Sequence, residues 1–225
     1  MVRIAGLALL FLGIASASAN AALFACPTQP APTVDIQFEA EKLKYDYTKN
    51  AAQLKAMGSD TINPYEADVV TIVGGKMKGE MGLKASVDIA GLGNKINTCL
   101  WIKKVTIKIT AKDTVYIASE YPKGTCQFGV NLEHEHKHVA IEHQTAQEHI
   151  GKIRDAAQSA AAKVGIVGPK PFGDFDMYAQ KIRDYVLGEI KKEFQYAQMD
   201  DKKRQQALDS KAEYDRGSTA CRNQK

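Results

Sequence analysis

All five histidines of this chain lie in one short stretch, between residues 134 and 149. Within it, His134-Glu135-x-x-His138 matches the H-E-x-x-H pattern. An α-helix turns about 100° per residue, so positions i and i+4 lie nearly above one another, and helical geometry would bring both histidines onto one face. The pattern therefore predicts a helix that contains His134, Glu135 and His138.

The same spacing indicates a zinc site. On one helical face, His134 and His138 can hold a single Zn²⁺ ion, and Glu135 leans toward the position of a coordinated water. Glu135 is then placed to act as general base for that water, which zinc acidifies. The alternative interpretations are a solvated His-rich helix and a loose cation-binding tract.

The first residues resemble an export signal. A short basic start is followed by an apolar run over residues 4–14, too short to span a bilayer, and by Ala17-Ser18-Ala19, a typical cleavage site. We expect residues 1–19 to be a cleaved signal peptide, residues 20–32 a Pro-rich linker, and residues 33–225 a single domain. The predicted location is periplasmic or secreted, in a bacterium.

Charge and hydropathy exclude two classes of partner. The formal net charge is only +4, and basic residues form no aromatic-studded patch, so we expect no nucleic-acid partner. After residue 20 no apolar stretch is long enough to cross a membrane, so we expect no integral membrane segment once the signal is removed.

The four cysteines predict two disulfides, because an even count in an exported chain is typical of a cystine framework. A hairpin turn at Lys112-Asp113 would place Cys99 opposite Cys126, which leaves Cys26 to pair with Cys221. Zinc ligation by thiolates is the competing use, and the absence of any C-x-x-C spacing argues against it.

Sheet-forming segments come first and helices last. Residues 100–110 show the clearest period-two alternation, and residues 114–119 are the predicted hairpin partner. Two long helices with apolar faces are expected at 131–164 and 174–216. The sequence therefore predicts an α+β fold, an antiparallel sheet in the first half followed by two long helices. Further strand patterns lie at 34–38, 43–47, 69–73 and 77–88.

This order of elements resembles a known family. A β-rich half carrying Cys99-Leu-Trp-Ile-Lys-Lys-Val-Thr-Ile-Lys-Ile precedes the H-E-x-x-H helix, and Leu208-Asp209-x-x-x-Glu213-Tyr214 closes the second helix. Over residues 40–220 the chain is similar to a bacterial family of predicted secreted zinc-dependent proteases. The resemblance implies a zincin-like active-site helix and a peptide or protein substrate.

The third zinc ligand is the main gap in this prediction. One common pattern needs a histidine six residues past His138, but position 144 is Gln. Glu142 is one turn too far along a straight helix to reach an ion held by the other two ligands. Ligands from the second helix are more plausible. These are Glu213 or Tyr214, with Asp209 or Glu189 behind them.

Two functional hypotheses follow. The first is an exported zinc metallopeptidase, in which a zinc-activated water attacks a peptide carbonyl with Glu135 as general base. Its substrate would pair with an exposed edge strand at 114–119. The second is a non-catalytic metal-binding or structural protein of the cell envelope on the same fold. A plain structural domain with a chance motif is the remaining alternative.

Overall fold

The computed structural model describes residues 24–59, 61–65 and 74–222. The predicted signal peptide (1–19) and the strand predicted at 69–73 lie outside these residues. Residues 24–32, in the predicted linker, form neither helix nor strand. The elements in chain order are β1 (Thr33–Ala40), β2 (Lys44–Asp46), α1 (Ala51–Ala56), β3 (Gly75–Gly93), β4 (Asn97–Ile117), α2 (Cys126–Val164), β5 (Ile166–Pro171), α3 (Phe175–Leu208) and α4 (Lys211–Ala220).

The sheet is built around β4, which pairs with all four other strands. The prediction of an antiparallel sheet is wrong, because β1 and β2 pair with β4 in parallel. Only β3 and β5 run antiparallel to it. β3 occupies one edge of β4 along almost its whole length, so β1 and β2 lie along the other edge. Both run in the same direction as β4. Alternation in a sequence reveals which residues share a face, but it does not give the direction of the partner strand.

The predicted hairpin turn at Lys112-Asp113 is also wrong. Both residues continue β4, where they pair in register with Glu80 and Gly79 of β3. The alternation of buried residues passes through them without a break, so no change of face marks a turn. The true hairpin turn lies at residues 94–96, where the Asn94 side chain accepts the backbone N–H of two following residues. The edge strand expected at 114–119 is therefore central, and β3 forms an outer edge of the sheet.

The two long helices cover one face of the sheet. Inward side chains of β4 such as Ile107 pack in one core with Ile153 of α2 and Val186 of α3. The first helix begins earlier than predicted, at Cys126, because Thr125 is the N-cap and accepts the N–H of Phe128. No helix among the described residues is long and apolar enough to span a bilayer.

The predicted second helix is two helices. It ends at Leu208, and α4 begins after a two-residue link, Asp209-Ser210. Ser210 is the N-cap of α4, since its side chain accepts the N–H of Glu213. This break decides which side chain reaches the histidines.

Two disulfides are present, as predicted, but the predicted pairing is wrong. The bonds join Cys26 to Cys99 and Cys126 to Cys221. Because β4 is continuous, Cys99 lies near its start and Cys126 lies beyond its end, so the two cysteines are too far apart to bond. The second bond fastens the end of α4 to the start of α2. Disulfides of this kind are compatible with a compartment outside the cytoplasm.

Candidate metal centre

His134 and His138 lie one turn apart on α2, and both Nε2 atoms point to the same spot. They are 3.1 Å from each other. The third atom is Oδ1 of Asp209, at 3.0 Å from the Nε2 of His134 and 3.1 Å from that of His138. These three residues are the one group of potential metal ligands found within the described part of the chain.

The outer nitrogens of both rings face acceptors. The Nδ1 of His138 contacts Oε1 of Gln205, and the Nδ1 of His134 lies 3.5 Å from Oε1 of Glu213. The amide of Gln205 can be oriented in only one way, because its Nε2 donates to the backbone carbonyl of His138 at 3.0 Å and to Asp201 at 3.1 Å. A hydrogen on each Nδ1 would face these acceptors and would leave Nε2 as the atom available to a metal.

Three atoms that can each ligate a metal thus converge on one point. Such an arrangement can accommodate a cation. The edges of the triangle are close to the spacing of about 3.3 Å between ligands in a tetrahedral zinc site, whose bonds are about 2.0–2.1 Å long. Two imidazoles and one carboxylate with an open fourth direction match the donor set of a catalytic Zn²⁺ site.

Asp209 is held in place from two sides. It lies in the link between α3 and α4, and its Oδ2 accepts the hydroxyl of Thr61 at 2.5 Å. Burial alone would raise the pKa of Asp209, but its contacts with His134, His138 and Thr61 hold that pKa well below its usual range. Asp209 is therefore a carboxylate at neutral pH, as a metal ligand must be.

The two residues of α4 predicted as third ligands lie beside the site. Glu213 is ion-paired with Lys137 at 2.8 Å and with Arg216 at 2.8 Å, and the hydrogen bond from Arg216 contributes most to holding its pKa below the usual range. Tyr214 donates its hydroxyl to Oδ1 of Asp209 at 3.3 Å, and its ring lies beside that of His134. Glu189 belongs to α3, outside the cluster.

Glu135 lies on the adjacent wall, buried beneath β3. Burial raises the pKa of its carboxyl to about 7, against the opposing influence of the two histidines, and the backbone of Met77 hydrogen-bonds to it. β3 packs this closely against Glu135 because residue 75 is Gly. A Cβ at that position would lie 2.6 Å from Oε1 of Glu135. A carboxyl with a pKa near neutrality is suited to exchanging protons.

The remaining histidines have protein partners. His136 lies 3.0 Å from the hydroxyl of Tyr45, and His143 and His149 contact Asp113 and Asp200. Their rings are thus engaged separately, on different sides of α2, rather than in a shared cation-binding tract.

Asp209 was only a secondary candidate in the sequence. The signal that identifies it is Ser210-x-x-Glu213, a capping pattern that marks the start of a new helix at Ser210. A break there releases Asp209 from helical geometry and turns its side chain toward α2.

A cavity of about 740 Å³ opens beside these side chains. It is lined by Gly75, Met77 and Gly79 of β3 and by residues 58, 59 and 61–63. No protein-family model matches the chain, and no characterised protein or solved structure matches it significantly. The family resemblance therefore stays a prediction.

Proposed function

We propose that this chain is an exported zinc metallopeptidase whose metal is held by His134, His138 and Asp209. The observation that carries the proposal is the convergence of three lone-pair donors beside a buried carboxyl, in a cavity that β3 borders. Zinc in such a site acidifies a coordinated water and polarises a carbonyl. A metallopeptidase uses both effects, together with a base, to hydrolyse an amide bond.

Glu135 supplies the base. It takes a proton from the attacking water and transfers it to the departing amine. Tyr214, whose hydroxyl donates to Asp209 in the cavity wall, is a neutral donor that can stabilise the oxygen of a substrate carbonyl.

The open edge of β3 supports a peptide as the substrate. In the described residues, β3 pairs only with β4, so its other edge has no partner strand. An extended chain can add to such an edge through main-chain hydrogen bonds. The two disulfides support a periplasmic or extracellular location.

The deciding experiment is Glu135→Gln. We expect the variant to bind one zinc per chain with the wild-type affinity, because Glu135 is not a ligand. We also expect hydrolysis of casein to fall at least about 100-fold, because the base is lost. The matched control is Glu148→Gln, an exposed position on the same helix. Casein hydrolysis by Glu135→Gln at the wild-type rate would reject the proposal.

The non-catalytic alternative makes a different prediction for metal stoichiometry. A metal buffer would hold several weakly bound ions that dialysis removes together. The separate protein partners of His136, His143 and His149 favour a single tight site instead.

A further inference from the structure

The inner end of the cavity has no role in the chemistry above. Beyond His138, the cavity continues along α2 and is lined there by Glu142, Asp201 and Gly79. Asp113 of β4 lies directly behind, so three carboxyls from three different elements meet at this end. We call Asp113, Glu142 and Asp201 the acidic cluster.

No donor group outside the acidic cluster satisfies its most buried oxygens. Asp113 and Glu142 are only 3% and 4% exposed. Their side chains hydrogen-bond to each other, but Oε1 of Glu142 and Oδ1 of Asp113 receive no hydrogen bond from any other group. His143 contacts only Oδ2 of Asp113, at 2.7 Å. Among the described residues, no lysine or arginine is ion-paired with the cluster, although Lys202 lines the same cavity. Buried carboxyl oxygens without partners are strongly unfavourable in a folded protein.

The carboxyls of Glu142 and Asp113 meet beside Gly79 of β3. A Cβ on Gly79 would lie 1.9 Å from Oε2 of Glu142 and 3.0 Å from Oδ1 of Asp113. Glycine at this position therefore makes room for the carboxyl of Glu142. Burial, the neighbouring charges of Asp113 and Asp201, and a hydrogen bond with Asp113 raise the pKa of Glu142 to about 8. A cation in the cavity that Glu142 and Asp201 line would offset the unfavourable burial of these carboxyls.

The cation that fits best is organic. The described residues hold one cluster compact enough for a metal ion, and it is the histidine–aspartate site. The carboxyls of the acidic cluster are more widely spaced, so they suit a larger group with several donors, such as a guanidinium or an ammonium. Glu142 follows His138 by one helical turn, about 6 Å along the axis. An extended Lys or Arg side chain has a reach of about 6 Å.

We infer that the acidic cluster is a specificity subsite that takes the Lys or Arg side chain of a residue next to the scissile bond. The inference rests on the proposed peptidase function and adds to it a substrate class, peptides cleaved beside a basic residue. The cavity gives the side chain a direct path, because Gly79 and Glu142 line the same space as His138.

The test uses blocked hexapeptides that differ at one position, where arginine is replaced by its neutral isostere citrulline. Arginine is placed in turn at each of the four central positions. For wild-type protein loaded with zinc, we expect kcat/KM at one position to be about 10–100-fold higher with arginine than with citrulline, because hydrogen bonds to charged groups are strong in buried sites. Equal cleavage of both peptides at every position would overturn the inference.

Glu142→Gln tests the assignment to this cluster. The ratio of kcat/KM for arginine over citrulline should fall at least about tenfold, while Glu148→Gln keeps the wild-type ratio. Zinc affinity, measured by calorimetry, reports that the fold is intact. If Glu142→Gln does not fold, Asp201→Asn serves the same purpose at a less buried position. An unchanged ratio in a folded, zinc-binding variant contradicts the assignment.

Failure of the subsite and failure of the peptidase proposal give different results. If wild-type protein cleaves none of the peptides, the proposed function fails, and the subsite is then tested by binding alone. The Kd of each peptide pair is measured by fluorescence titration of the zinc-loaded protein. Tighter binding of the arginine peptide, lost in Glu142→Gln, supports the subsite, and equal binding rejects it.

Discussion

The two ends of the cavity are built on the same helix in opposite ways. At the histidine end, each ring is fixed by a second partner on its outer nitrogen, and Asp209 is bound by Thr61. At the acidic end, Glu142 and Asp113 each have a buried oxygen that receives no hydrogen bond from a group outside the pair. Rigid support with converging lone pairs suits a small ion that stays in place. Poorly compensated carboxyls that border a cavity suit a larger cation that enters and leaves.

The largest effect we expect comes from removing the third ligand. Asp209→Ala should weaken zinc binding at least about 1000-fold, because a carboxylate ligand supplies several kcal/mol of the binding free energy. Competition with a chelator of known affinity measures this change. The matched control is Glu189→Ala, an acidic residue of α3 outside the cluster. Wild-type affinity in Asp209→Ala would show that another side chain completes the site.

A smaller effect should follow from loosening the support of that ligand. Thr61→Val keeps the shape of the side chain but removes the hydroxyl that donates to Oδ2 of Asp209. Partners of metal ligands typically contribute 10–100-fold in affinity, so we expect a loss of about that size.

Thr61→Ser is the control for this prediction. It retains the hydroxyl and should bind zinc as the wild type does. The neighbouring backbone of Ile62 is bound on both its N–H and its C=O by Gln206, so the segment should keep its position in both variants. Equal affinities for the valine and serine variants would mean that the Thr61 contact does not position Asp209.

The histidine end was largely predictable from the sequence because its information is local. His134, Glu135 and His138 lie within five residues, and helical geometry alone orients them. Asp209 lies 75 residues from His134, and its role depends on where α3 ends. The acidic end was not predictable, because β4, α2 and α3 each contribute one carboxyl and only the packed fold brings them together.

The fold shows the same division between local and distant information. The long helices are found in the sequence because each has an apolar face of its own. The predicted strand direction was wrong because strand pairing joins segments that are distant in the sequence. The wrongly predicted turn at Lys112-Asp113 also led to the wrong disulfide pairing. Asp113 explains the error. Aspartate is common in turns, yet Asp113 lies buried in β4 as a member of the acidic cluster.

The smallest predicted effect concerns stability. Its measurement tests whether the buried carboxylate of Glu142 lowers the free energy of unfolding. The pKa of Glu142 is raised from 4.5 to about 8, chiefly by burial and then by Asp113 and Asp201. A raised carboxyl pKa favours the protonated form in the folded state, so its stabilising effect is complete below pH 4.5 and is lost as pH rises through about 8. Lys202 lines the same cavity and carries the opposite charge, and the ring of His143 contacts Asp113; these groups reduce the effect without reversing it.

Glu142→Gln should therefore stabilise the protein at high pH. With a chelator present to exclude metal binding, we expect its Tm at pH 9 to exceed that of the wild type by about 4–8 °C, equivalent to about 2 kcal/mol for a chain of this size. At pH 5 the two proteins should unfold at nearly the same temperature, because Glu142 is then protonated in the fold. A less stable variant at pH 9 would mean that the carboxylate of Glu142 has a partner within the fold. The acidic end would then be a structural network like the histidine end, without need of an external cation.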